Sequence, residues 1–252
     1  MILARITQAI RTQNWFAVIL EFVIVIAGVV IGFQVTAWNA ERAERLTEAE
    51  IIGRLHDEII GVGQSRWDWA AGRESTRELL LAASQKLYGN SDEILSLSEC
   101  GAIAQSHIFN SPTLTLPVLA ELESTGDLDL IANPEIRDAI TTFLMAISWA
   151  HEMDAAINHE IWNLSIRFPD LMNFVVPEAG VEWVPHFDGS ARCDTEAMRS
   201  HRGFLNALAD NISKSQFYMI AGLDGPNEAF LALHDAVDAE LGLTHEDDEA
   251  AP

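Results

Sequence analysis

Near its N-terminus the chain carries an almost unbroken apolar run, FAVILEFVIVIAGVVIGFQVTAW, at residues 16–38. Only Glu21, Gln34 and Thr36 interrupt this run. A helix of this length extends about 35 Å at ~1.5 Å per residue, which is enough to cross a hydrocarbon core of ~30 Å. The pattern predicts a transmembrane helix over residues 15–38, with a tryptophan in the bilayer interface at each end.

Charges on either side of this segment indicate its orientation. Arg5 and Arg11 precede it without any acidic residue, whereas the residues that follow it mix both signs. The positive-inside rule therefore predicts that residues 1–14 are cytoplasmic and that residues 39–243 form an extracytoplasmic domain. For a bacterium, this describes an inner-membrane protein with a periplasmic domain.

A secretory signal peptide is the alternative interpretation, because Val35, Thr36 and Ala37 resemble a small-residue cleavage site. The apolar run is longer than the ~7–15 residues of a signal-peptide core, which favours an uncleaved anchor. We therefore expect the lipid bilayer to be a partner of this chain.

One face of the predicted transmembrane helix combines an acidic residue with small residues. At ~100° per residue, a stripe about 80° wide contains Glu21, Val25, Gly28, Gly32, Val35 and Asn39. Gly28 and Gly32 would let another helix approach closely, and Glu21 is costly in hydrocarbon unless it is protonated, paired or reaches the headgroups. The stripe predicts an interface with a second copy or with another membrane protein. The alternative is that Glu21 reaches the headgroup region and the glycines have no partner.

The polar residues after the anchor keep a helical pattern. Ile52, Leu55 and Ile59 are spaced by three and four residues, which predicts that the membrane helix continues as an amphipathic helix to about residues 61–63. A second helix is expected at Trp67–Tyr88, because a Gly-Asn-Ser sequence follows it.

A central helix has the clearest start. Asn133, Pro134 and Glu135 supply a capping residue, a proline at the first helical position and an acid in the first turn. Its apolar residues recur at helical spacing and imply packing against other helices, with Asp154 as one polar exception. The apolar members are Ile136, Ile140, Phe143, Ile147, Ala150, Ile157, Ile161 and Leu164.

Two further helices are predicted before the C-terminus. The first begins at Asp194 and breaks at residues 222–226. Asn227 then caps the last helix, which Gly242 closes.

The remaining segments predict irregular structure. Residues 168–193 contain prolines and glycines and are expected to form a long loop, with a short hairpin around residues 181–184. Residues 244–252 form an acidic tail that is expected to be disordered. The whole pattern predicts an all-α fold in which the transmembrane helix continues into an extracytoplasmic helical bundle.

Charge and motifs exclude several functions. The net charge is −23, and Lys86 and Lys214 are the only lysines. This argues against nucleic-acid binding, which needs a basic surface. The sequence contains no nucleophile elbow, phosphate-binding loop or zinc-protease motif, so we expect neither an enzyme nor a bound cofactor.

Two cysteines, Cys100 and Cys193, are too few for a disulfide scaffold and too far apart for a metal-binding pair. Outside the cytoplasm they could form a disulfide that closes a loop of roughly 90 residues and stabilises the fold by up to ~4 kcal/mol. The alternative is two buried thiols.

Candidate metal ligands occur on the central helix, where His151, Asp154 and His159 lie on nearby faces. Their spacing matches no established ligand motif, so a hydrogen bond between His151 and Asp154 is the favoured interpretation. Asp154 could also set the helix register. The other histidines show no pattern; they are His56, His107, His186, His201, His234 and His245.

Two segments resemble a bacterial family of single-pass membrane-anchored proteins that carry a domain of unknown function. The anchor matches this family at Glu21, Gly28, Gln34, Trp38 and Asn39, and departs from it at Thr36, Ala37 and Ala40. A second segment matches at Ser124, Gly126, Leu128, Leu130, Ile131, Asn133, Arg137 and Phe143. The resemblance implies a membrane anchor and a helical external domain, and it implies no activity.

The leading hypothesis is a structural or interaction protein that associates through the stripe. The alternative is an extracytoplasmic ligand-binding or sensory module, although the 14 residues expected in the cytoplasm leave no room for an output element. A metal-dependent enzyme around His151 and Asp154 is the third hypothesis.

Overall fold

A computed structural model describes residues 15–89, 91–109, 114–158, 161–175 and 191–244. The predicted all-α fold is confirmed, because almost all of its regular structure is helical. In chain order the elements are α1 (Trp15–Tyr88), α2 (Leu97–Gln105), α3 (Pro117–Thr125), a 3-10 turn (Leu128–Leu130), α4 (Pro134–Ile157), α5 (Leu164–Arg167), β1 (Met172–Phe174), β2 (Ala191–Cys193), α6 (Thr195–Ser200), α7 (Arg202–Tyr218), a π-helical turn (Met219–Asp224) and α8 (Gly225–Leu241).

The chain divides into two compact units, Met1–Ile51 and Ile52–Pro252. Three predicted features lie outside the described residues. They are the cytoplasmic segment 1–14, the hairpin around residues 181–184 and all but the first residue of the acidic tail 244–252.

Helix α1 is continuous over 74 residues, so the predicted break near residues 61–63 is wrong. A glycine inside a helix costs about 1 kcal/mol relative to alanine, and tertiary packing can offset that cost. Gly63 is buried, and a Cβ atom at this position would lie 3.8 Å from the ring of Phe230. The same ring packs against Trp67 and Phe143, with ring centroids 6.3 and 6.1 Å apart. Close packing around Phe230 therefore stabilises the part of α1 that Gly61 and Gly63 weaken.

The buried side of α1 follows a seven-residue repeat. Six residues at this spacing are at most 9% exposed, namely Ile52, Ile59, Arg66, Arg73, Leu80 and Leu87. A repeat of seven keeps one face of a helix turned toward its neighbours. We call these six residues the α1 seam. Two arginines occupy its middle.

Helix α4 begins as predicted and ends earlier than predicted. The side chain of Asn133 accepts a hydrogen bond from the Glu135 N–H at 2.8 Å, which confirms the capping residue. The helix ends at Ile157, because the Asn158 side chain donates to the Asp154 carbonyl at 2.9 Å and caps the last turn. Ile161, predicted to continue the apolar seam, is 41% exposed.

The C-terminal helices break at a different place from the predicted one. His201 separates α6 from α7, and its Nδ1 accepts a hydrogen bond from the Phe204 N–H at 3.0 Å. The predicted break at residues 222–226 is absent, because the chain continues through the π-helical turn into α8. Asn227 therefore lies inside α8 and does not cap it, whereas Gly242 closes α8 in the left-handed conformation, as predicted.

A short antiparallel ladder forms at the two ends of the predicted loop, where Met172 pairs with Cys193 and Phe174 with Ala191. Cys193 is bonded to Cys100 of α2, across a sequence separation of 93 residues. The bond lies in an apolar cluster that includes Leu80 of α1. The disulfide thus joins α2 covalently to β2 inside the core.

A buried ionic contact links α2 to α1. Ser96 and Glu99 form a capping box, in which the Ser96 Oγ accepts from the Glu99 N–H and the Glu99 carboxylate accepts from the Ser96 N–H. Lys86 Nζ of α1 lies 2.8 Å from Glu99 Oε1. Burial alone would raise the pKa of the Glu99 carboxyl, but the hydrogen bonds from Lys86 and Ser96 outweigh it and lower that pKa below its ordinary value of 4.5.

We expect loss of the disulfide to destabilise the fold. The Cys100→Ser, Cys193→Ser double variant of the full chain in detergent should lose about 2–5 kcal/mol of unfolding free energy, because the bond restricts the unfolded chain. Urea unfolding followed by tryptophan fluorescence measures the loss. Reductant should destabilise the wild-type chain and leave the double variant unchanged. Free thiols in the untreated wild-type chain would contradict the prediction.

Glu99 should make stability depend on pH in the acidic range. Its pKa is lower in the folded chain, so its ionised form stabilises the fold above the unfolded-state value and this contribution is lost as the pH falls through the folded-state value. Glu99→Gln should cost about 1–3 kcal/mol at pH 7, and the difference from wild type should shrink below pH 4.5. Unfolding titrations at several pH values measure both effects.

Glu93→Gln is the matched control, because Glu93 is 72% exposed and 3.7 Å from the same lysine. It should change stability little at any pH. A difference between Glu99→Gln and wild type that stays constant from pH 7 to pH 3 would contradict the assignment.

Candidate functional site

The residues of the predicted stripe lie on α1, and every one of them from Glu21 to Asn39 is exposed. A Cβ atom at Gly28 or Gly32 would meet no neighbouring side chain or distant backbone within 4 Å. The Thr36 hydroxyl donates to the Gly32 carbonyl at 3.0 Å, which satisfies this polar group within the helix. None of the most apolar 18-residue window of this helix is buried, and the helix is long and apolar enough to cross a membrane.

The predicted cluster on α4 does not form a candidate metal site among the described residues. His151 and Asp154 are both exposed, and the Asp154 carboxylate accepts a hydrogen bond from Asn158 Nδ2 at 2.8 Å. The hydrogen bond favoured between His151 and Asp154 is therefore replaced by one to Asn158. Asp154 is also not among the buried residues of α4, so its position does not support the suggested role in setting the helix register. His159 lies outside the described residues.

A different cluster joins α1 to α8, and we call it the His–Asp cluster: His56, His234 and Asp238. His56 Nε2 lies 3.3 Å from Asp238 Oδ1, and His234 Nε2 lies 3.3 Å from Asp238 Oδ2. One donor atom from each of the three residues can be chosen so that all lie within 4.8 Å of one another. The carboxylate is thus placed between two imidazoles that come from two helices.

The His–Asp cluster is largely shielded from water. The side chain of His234 is 6% exposed, that of Asp238 13% and that of His56 15%. Leu55, Leu233 and Val237, which flank the cluster along both helices, are fully buried. Because water is scarce there, charges and hydrogen bonds within the cluster interact more strongly than on the surface.

Sequence reasoning missed the His–Asp cluster. His234 and Asp238 are four residues apart on one helix, a spacing that places both on one face, and this signal was readable. His56 reaches them only through the packing of α1 against α8, and no sequence pattern marks that contact.

Buried arginines form a second polar contact between α1 and the C-terminal helices. Arg66 is 1% exposed; its Nε donates to Asn227 Oδ1 at 2.6 Å and its Nη2 to the Gly222 carbonyl at 3.1 Å. Gly222 is needed there, since a Cβ atom would lie 2.9 Å from the ring of Tyr218. Burial lowers the pKa of Arg66, yet a guanidinium remains charged at neutral pH. Arg66 therefore supplies a charged donor to the carbonyl that the π-helical turn presents.

Arg73 lies one repeat further along the α1 seam and also donates to a backbone carbonyl, in the segment that follows α2. Its Nη2 donates to the Ile108 carbonyl at 2.6 Å, and its guanidinium lies 5.7 Å from the centre of the Tyr218 ring. Burial lowers its pKa as well. The two arginines therefore contact Tyr218 and the π-helical turn that follows it from one helix face, and their role is structural.

A cleft of about 540 Å³ opens beside β1 and β2, and its walls include Asp170, Arg192 and Glu196. Its volume lies within the range of small-molecule sites. Its lining is mixed in charge, and Cys193 of the disulfide forms part of one wall.

No family model matches the chain, and neither the curated proteins nor the solved structures contain a significant match to it. The resemblance of the anchor and of the segment before α4 to a membrane-anchored family therefore stays a prediction.

Arg66→Leu should destabilise the fold by about 2–4 kcal/mol, because it leaves the Gly222 carbonyl and the Asn227 side chain without this donor. Chemical unfolding of the full chain measures the loss. Combined with Asn227→Ala, it should show a coupling energy of about 0.5–3 kcal/mol.

Arg54→Leu is the matched control on the same helix. Arg54 is 48% exposed and pairs with Glu121 at 2.7 Å, so its loss should cost about 1 kcal/mol or less. Equal losses for Arg54→Leu and Arg66→Leu would show that the buried contacts are not the cause.

Proposed function

We propose that this chain is a bacterial inner-membrane protein whose N-terminal helix both anchors it and binds another membrane helix. The observation that carries the proposal is the face of α1 on which Glu21, Gly28 and Gly32 coincide, within an apolar stretch that the described chain leaves wholly exposed. Such a stretch is stable in a bilayer and costly in water.

The glycine pair supports helix association. In a membrane there is little hydrophobic drive between helices, so close backbone contact across small residues supplies much of the attraction. The surface at Gly28 and Gly32 is open to such contact, since no described side chain covers it. Glu21 on the same stripe gains a hydrogen-bond partner when two helices meet there, which offsets the cost of placing an acid in hydrocarbon.

The disulfide supports an external location for the helical domain. Disulfides persist in oxidising compartments such as the periplasm and are rare in the cytosol. Cys100 and Cys193 are joined within the core of the second unit. This agrees with the orientation that Arg5 and Arg11 predict, with the N-terminus in the cytoplasm.

A ligand-binding module is the second candidate, and the cleft beside β1 and β2 is the observation that favours it. On this hypothesis the anchor holds the domain at the membrane surface and the cleft takes a small polar molecule. Association through α1 would then serve to pass the signal to a partner.

Replacing both glycines should disrupt association. Gly28→Leu with Gly32→Leu places two bulky side chains on the contact face, and we expect at least a tenfold weaker association, which corresponds to ~1.4 kcal/mol. The measurement is cross-linking and co-purification of two differently tagged copies from native membranes, with mass spectrometry of any other chain retained.

Ala27→Leu is the matched control, because Ala27 lies outside the stripe on the same helix turn; it should leave association unchanged. A wild-type chain extracted as a lone monomer, or a double variant that associates like wild type, would contradict the proposal. The intact mass of the extracted protein tests the anchor itself, since a chain that begins after Ala37 has lost it.

A further inference from the structure

We propose that the His–Asp cluster is a binding site for a divalent transition-metal ion such as zinc. Its three residues supply two imidazole nitrogens and a carboxylate oxygen, which are preferred ligands of zinc in proteins. The proposal is independent of the anchor and of helix association.

Each nitrogen–oxygen distance in the cluster matches the distance between two ligands of a tetrahedral ion. Zinc bonds to nitrogen and oxygen are ~2.0–2.1 Å long, so two ligands of a tetrahedral ion lie roughly 3.3 Å apart. Both imidazole nitrogens lie 3.3 Å from an oxygen of Asp238. The two nitrogens face different oxygens of Asp238, and the three donor atoms lie within 4.8 Å of one another, so the side chains must draw closer together to share one ion.

The second nitrogen of His56 faces a carboxylate at a distance longer than a hydrogen bond. His56 Nδ1 lies 3.8 Å from Asp57 Oδ1, while Nε2 faces Asp238. In metal sites a carboxylate that accepts a hydrogen bond from the far nitrogen orients the ring, so Asp57 would have to move closer to take this role. Asp57 is 89% exposed, so it sits at the outer edge of the site, between the cluster and solvent.

Burial and charge favour an ion at this position. Asp238 is 13% exposed and each imidazole is 15% exposed or less, so the site is partly desolvated. A dication gains from the Asp238 charge there, and the strongly acidic chain raises the local concentration of cations. Three protein ligands leave at least one coordination position for water, as in open zinc sites.

Metal binding would connect α1 with α8. Ligands from both helices meet at one ion, so the ion cross-links α1 to α8. The cross-link lies between Ile52 and Ile59, the first two residues of the α1 seam. An ion that binds only the folded chain stabilises it.

Zinc titration of the full chain in detergent tests the proposal. The protein should carry a tag without histidines and should first be stripped with a chelator. Calorimetry and elemental analysis should find one tightly held zinc ion per chain. Asp238→Asn and His234→Gln should each weaken binding at least tenfold, because each removes one ligand and preserves side-chain size.

His151→Gln is the matched control, since His151 is exposed on α4 and lies outside the cluster; its zinc affinity should equal that of wild type. X-ray absorption of the zinc-loaded wild-type chain gives a readout that needs no variant, and it should show two imidazole ligands. The proposal is overturned by an absence of stoichiometric zinc, by unchanged affinity in both cluster variants, or by a zinc spectrum without imidazole ligands.

Discussion

Burial of the α1 seam is the constraint on which the rest of the domain depends. Every seventh residue from Ile52 to Leu87 faces inward, and the C-terminal helices and α2 pack against this line. A helix face of this length gives the short elements one common apolar surface to pack against. None of these elements could bury its own apolar side chains alone. The helix also completes other elements: Glu58 accepts from the Val118 N–H at 3.0 Å and so caps α3, whose own preceding residue Leu116 has no capping side chain.

Two arginines in the middle of the α1 seam make its packing depend on hydrogen-bond acceptors at fixed positions. An apolar face tolerates sliding, whereas a buried guanidinium is stable only where its acceptors lie. Arg66 meets the Gly222 carbonyl and Asn227, and Arg73 meets the Ile108 carbonyl. The Arg73 contact links α1 to the segment after α2, and the Arg66 contacts favour one register of α1 against the π-helical turn. They also explain why that turn persists, since an unusual helical turn needs a donor for the carbonyl that it presents.

The two features on which the proposals rest depend on different physics. In the first unit α1 carries an exposed apolar stretch that is long enough to cross a membrane, and Glu21, Gly28 and Gly32 lie on one face of it. In the second unit the His–Asp cluster brings His56 to His234 and Asp238, with each imidazole Nε2 3.3 Å from a carboxylate oxygen of Asp238. Of the predicted cluster, the two residues that the structure describes, His151 and Asp154, are exposed, and Asp154 accepts a hydrogen bond from Asn158. Residue type alone therefore does not bring side chains together; the packing of α1 against α8 does so at the His–Asp cluster.

The sequence by itself determined a long apolar helix that could span a membrane, the helical class, the start of α4 at Asn133 and the end of α8 at Gly242, because these depend on local hydrophobicity and capping. The seven-residue repeat that runs through α1 is present in the sequence. It was not recognised because Gly61 and Gly63 suggested a break and Arg66 and Arg73 occupy two of its positions. Only the tertiary structure decided that Gly63 packs on Phe230, that Asn227 accepts from Arg66, that Cys100 is bonded to Cys193 and that His56 joins His234. Each of these contacts joins residues distant in the chain, and their energies depend on burial and distance, which no local pattern encodes.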